Sequence, residues 1–158
     1  MMHPRRWQLT AVALVTLVVG GALGPRWGAG PSAEGLHGAA LWSGGLPLTA
    51  RIVGHAHALP VAAARCLNCH AGAVAASAPA AGLAPVDGPA PVLTARHLRE
   101  SRPRRGGPPS RYDAASFCTL LRTGVDPAAV LLPRQMPRYE ISDADCGALW
   151  VHLTRKPA

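Results

Sequence analysis

The chain has 158 residues, with 16 basic against 8 acidic side chains and a formal net charge of +8. Only 15% of residues are charged and 4% are aromatic; Ala, Gly and Pro are abundant instead. This length allows one modest domain behind an extension, and a core so poor in aromatic residues gains little from burying its own side chains, a deficit that a large apolar cofactor would make up. The basic balance suits acidic partners or anionic lipid. It does not suit nucleic acid, because Trp, Tyr and Phe do not interleave with the arginines. The few carboxylates give hydrolytic acid–base chemistry no support.

Met1 to Arg6 supplies a basic start with Arg5 and Arg6, and an apolar run follows from Leu9 to Gly24. This reads as an export segment. Trp7 and Trp27 flank it at a spacing that, in a helix, spans about 30 Å, the thickness of bilayer hydrocarbon. The expectation is an uncleaved anchor over residues 1–30, with a cleaved signal as the alternative, and the remainder on the periplasmic side of a bacterial inner membrane. Residues 31–59 form a Gly- and Pro-rich extension, with a short helix at Gly38 to Trp42 ended by Gly44-Gly45 and an extended piece from Leu48 to Val53. Residues 60–158 form the main domain.

Val61 to Arg65 reads as a helical lead into Cys66-Leu67-Asn68-Cys69-His70. Residues 71–91 are low-complexity Ala, Gly and Pro, hence loop. A short helix is expected at Thr94 to Arg99, then an exposed basic loop over 101–111 with Arg102, Arg104, Arg105 and Arg111. Two clearer helices follow. Asp113 caps the first and Gly124 stops it, with Ala114, Phe117, Cys118 and Leu121 on one face. Ser142 caps the second, with Asp145 as in a capping box and Ile141 and Cys146 placed as a staple. Cys146, Leu149, Trp150 and Leu153 form its apolar face. The loop between these helices contains Met136-Pro137.

The C-x-x-C-H stretch admits three chemistries. A structural zinc site needs two further ligands, and Cys118 and Cys146 sit within helical faces rather than in a second knuckle. A thioredoxin-like redox pair needs a preceding buried strand and a βαβ pattern, for which strand signals are too few. Covalent haem attachment uses both thiols of one helical turn for the two vinyl groups and the adjoining histidine for the iron. Beyond Met1 and Met2 the sequence holds a single methionine, Met136, a candidate sixth ligand whose alternative role is a core gap-filler. His55, His57, His97 and His152 are its rivals.

With these residues in view, the chain resembles a single-haem class I cytochrome c over roughly residues 60–155. Cys66-Leu67-Asn68-Cys69-His70 matches the attachment motif, and Met136-Pro137 with the helix after Ser142 is similar to the family's methionine loop and last helix. Gly38 and Trp42 resemble its first helix, although the family places that helix closer to the first cysteine, and His152 stands where the family usually has Tyr. The resemblance implies an all-α fold wrapped around one covalent haem c, with long Gly/Pro-rich loops. Cys66 and Cys69 would hold the haem, His70 and Met136 would ligate its iron, and the Pro91 carbonyl would accept a hydrogen bond from His70. It implies a non-enzymatic one-electron carrier exchanging electrons with redox donor and acceptor proteins. A haem-based ligand sensor or small catalytic site with a labile sixth ligand, and a haem-bearing structural subunit of a larger respiratory or dehydrogenase complex, are the alternatives. Cys118 and Cys146 lie on helices that pack together in that fold, so a disulfide between them is expected in an oxidising compartment. The arginines of 101–111 are expected at haem propionates or in a docking patch for an acidic partner.

Overall fold

The computed structural model describes residues 30–71 and 90–155. The expected membrane anchor and most of the Ala/Gly/Pro-rich stretch after His70 lie outside the described residues. The chain divides into Met1–Gly30 and Pro31–Ala158, so the helix of the Gly/Pro-rich extension belongs to the same unit as the segments after residue 60. No helix among the described residues is long and apolar enough to cross a membrane.

Helix α1, Ala33–Ser43, begins earlier than the sequence suggests because Ser32 caps it, its Oγ accepting from Gly35 N at 3.1 Å. It ends as expected at Gly44, whose φ of +82° lets its N–H turn back to Leu41 O. Strand β1, Thr49–Arg51, pairs antiparallel with β2, Arg138–Glu140, with Ala50 opposite Tyr139. Between them come α2, Leu67–His70, α3, Ala95–Arg99, and α4, Ala114–Thr123; α5, Asp143–Thr154, closes the described chain. The architecture is thus mainly helical, with one small two-stranded sheet in place of the purely all-α expectation. The sheet forms because Ala50 and Tyr139, at 1% and 5% exposure, turn inward from alternating strand positions.

The capping signals act as the sequence indicates. Asp113 Oδ1 accepts from Ser116 N and Ser116 Oγ accepts from Asp113 N, a reciprocal box. Gly124 stops α4 at φ +76°. Ser142 Oγ accepts from Asp145 N at 3.0 Å. On α4, Phe117, Cys118 and Leu121 are buried as expected, but Ala114 is exposed and Leu120 is buried instead. The lead Val61 to Arg65 is a turn rather than a helix, since the N–H groups of Ala63 and Ala64 both fold back to the Pro60 carbonyl.

Helix α5 is the hub. Gly38 of α1 lies so close to Ala148 that a β-carbon would collide with the Ala148 carbonyl. His37 donates to the Asp145 carboxylate at 2.6 Å on the same helix pair. Arg99 ties α3 to Thr154 at 3.0 Å, and Arg122 ties α4 to Asp143 and to the Ile141 carbonyl. Cys118 of α4 and Cys146 of α5 stand at disulfide distance, their Cα atoms 5.7 Å apart. The bond would close a loop of 28 residues, worth about 3 kcal/mol by restricting the unfolded chain. Alkylation of the denatured, unreduced protein followed by peptide mapping should therefore leave Cys118 and Cys146 unlabelled; labelling of both would show that the pair is not joined.

Candidate haem site

The segment from Cys66 to His70 is a single helical turn. Cys66 has helical backbone angles, φ −59° and ψ −40°, and its carbonyl accepts from Cys69 N and His70 N. Asn68 Nδ2 donates to Ala62 O at 2.8 Å and anchors the turn to the chain before it. At this spacing the two cysteines share one side of the turn. Cys66 is buried and Cys69 is exposed. Burial pushes the Cys66 thiol up to about 11, with the neighbouring Tyr139 hydroxyl opposing. A disulfide-exchange pair needs the opposite, a thiolate favoured near neutral pH.

His70 is the critical side chain. It is 8% exposed, and its Nδ1 hydrogen-bonds the Pro91 carbonyl at 2.7 Å. A carbonyl only accepts, so Nδ1 carries the proton. Burial lowers the His70 pKa, which favours the neutral ring. Nε2 then presents a lone pair, is itself buried, and has no hydrogen-bond partner among the described residues. A buried acceptor left without a partner is costly. A neutral imidazole oriented through one nitrogen and open at the other is the form that ligates a metal. These residues therefore fit a haem iron. The two cysteines that a zinc site would need in addition, Cys118 and Cys146, stand at disulfide distance from each other instead.

Trp42 of α1 lies beside His70, ring centroids 6.4 Å apart, and beside His152 at 6.3 Å. Although α1 stands well before Cys66 in sequence, residues 44–65 leave it and return to it through β1 and the Pro60 turn.

Met136 is partly buried against the core. It sits in the loop between α4 and β2, which is built from its own backbone. Asp126 Oδ1 accepts from Ala128 N and Val130 N, Leu132 N donates to Gly124 O, and Met136 N donates to Pro133 O. Tyr139, three residues on, donates its hydroxyl proton to Ala64 O at 3.0 Å and also reaches the Cys66 thiol. It thereby links the methionine segment to the attachment segment. The only local sign of this role is the alternation of Tyr139 with exposed Glu140, which marks it as inward-facing.

The basic loop departs from expectation. Arg104 is buried, and its guanidinium donates to the carbonyls of His97, Glu100, Arg102 and Ser110 and lies over Tyr112, 4.9 Å from the ring centroid. It is committed to folding the 97–110 turn and is not a free docking group. Arg102 bonds Glu100 and His97. Arg105 and Arg111 are exposed. Burial and the Asp126 carboxylate push the Tyr112 hydroxyl up to about 12, with Arg104 opposing. Of the other histidines, His55 and His57 are exposed, and burial lowers the pKa of both His97 and His152. Comparison with known proteins finds no matching family model, no matching curated protein and no matching solved structure.

Proposed function

We propose that the protein is a one-electron carrier of the class I cytochrome c type, holding one haem c through thioether bonds from Cys66 and Cys69. His70 Nε2 and the Met136 sulfur would ligate its iron. The observation that carries this reading is His70: one ring nitrogen is bound to Pro91 O and the other is buried, bare and attached to a C-x-x-C turn. When bound, the haem supplies reversible one-electron chemistry at its iron. The chain holds the imidazole neutral by burial and orients it through Pro91, a bond that also strengthens the ring as a donor. Tyr139 joins the two ligand-bearing segments. A thioether ligand raises the reduction potential relative to a second imidazole. The export segment and basic surface support a place at the periplasmic face of an inner membrane, exchanging electrons with proteins of acidic surface.

Methionine ligation is tested at Met136. The oxidised wild type should show the weak thioether-to-iron charge-transfer band at the red end of the spectrum. Met136→Ala should lose the band and bind carbon monoxide rapidly when reduced, whereas Met136→His should stay low-spin at a lower potential. A Met136→Ala spectrum identical to wild type would remove Met136 from the site. A wild type that is high-spin would instead favour a ligand-binding haem.

A further inference from the structure

Between Gly124 and Arg138 the chain leaves α4, loops through Met136 and returns as β2. Arg138 closes this loop with one side chain. Its Nε donates to Thr123 O at 3.1 Å and its Nη2 to Leu132 O at 3.4 Å, while its Nη1 donates to the carbonyl of Met136 itself. The three carbonyls belong to the base, the middle and the methionine end of the loop. The guanidinium lies flat against Gly124, where a β-carbon would collide with it. The arginine cannot drift, because β2 fixes it in register opposite Arg51 while Tyr139 points inward opposite Ala50.

Arg138 is only partly exposed, and no carboxylate among the described residues pairs with it. A cation removed from water without a counter-ion is costly unless oriented dipoles replace its hydration. Here three backbone carbonyls do so. An apolar side chain would fill the same space, and a lysine would present a point charge, but only a planar fork with fixed donors can engage three such carbonyls at once.

We propose that Arg138 is a positioning residue for Met136, holding its loop closed so that the sulfur stays at the iron. The inference rests on the haem reading above. Loss of hydrogen bonds from a charged donor to this loop shifts its opening equilibrium by at least about tenfold. The test uses the full-length exported holoprotein and reads two signals: the charge-transfer band during heating, and the affinity for added imidazole, which competes with the methionine sulfur. Arg138→Gln should bind imidazole at least about tenfold more tightly and lose the band well before helical circular dichroism is lost. Arg138→Lys should fall between it and wild type. Arg96→Gln, which removes an exposed arginine of α3, should match wild type. Wild-type imidazole affinity and band stability in Arg138→Gln would overturn the proposal. If that variant does not fold, wild-type behaviour of Arg138→Lys would overturn it equally. A wild type without the band, with imidazole affinity equal to that of Met136→Ala, would instead show that methionine ligation itself had failed.

Discussion

Replacing Cys66 and Cys69 together by alanine is expected to leave a chain that no longer unfolds cooperatively. The reason lies in the protein's own core. Its largest fully buried side chains are Leu98, Leu149 and Cys146, and several of the other buried positions are alanine or cysteine. Its longest described helix has 12 residues and two others have 4 and 5. Helices this short are marginal in water unless an apolar face is covered. The chain has one phenylalanine to fill space. The Cys118–Cys146 pair would remain but cannot substitute for missing apolar volume. Far-UV circular dichroism with a thermal scan reads the outcome: strongly reduced helical signal and no sharp transition are predicted. A double variant with wild-type helicity and a sharp transition would show that the fold does not depend on a haem held at these cysteines.

Gly38→Leu is expected to destabilise the folded protein by about 3 kcal/mol, the upper range for forcing volume into a packed site. The obstacle is the Ala148 carbonyl, with the His152 Cβ beside it. Backbone cannot rotate away as a flexible side chain can, so α1 and α5 must separate. Their separation would disturb Trp42, and with it the packing beside His70. Leucine has high helix propensity, so the loss would come from packing rather than from α1 itself. Gly147→Ala is the matching control on α5: its nearest obstacle is Glu34 Oε1 at 3.6 Å, ordinary contact. It should gain about 0.5–1 kcal/mol from removing a mid-helix glycine. Denaturant unfolding of the two variants measures both effects. Equal, small changes would contradict the close crossing of α1 on α5.

The features legible in the sequence are those with local chemical signatures. Asp113, Gly124 and Ser142 announce helix ends because capping is decided within a few residues. The Cys66–His70 turn is legible because two thiols three apart with an adjoining histidine form a local pattern. The start of α1 was harder to read, since Gly35 and Gly38 weaken any apolar periodicity and only Ser32 marks the boundary. Gly38 is a glycine for the sake of Ala148, far along the chain, and no local pattern contains that information. Strand β2 was hidden because Arg138-Tyr139-Glu140 is a single alternation, and its partner at Thr49–Arg51 is distant in sequence. Arg104 looked solvated because its neighbours are arginine, proline and glycine; its burial follows from the carbonyls that the 97–110 turn directs inward. Among the site residues, the hydrogen bond between His70 and Pro91 follows the resemblance, whereas the braces from Tyr139 and Arg138 depend on tertiary placement.

The most direct test of the account is the pyridine-haemochrome spectrum of the exported protein, taken alongside the mass of the denatured chain. The account predicts one haem per chain, an absorption maximum characteristic of two saturated vinyl groups, and a mass increase of one haem that survives acid–organic extraction. A chain that carries no haem, or one whose haem is removed by that extraction, would contradict it.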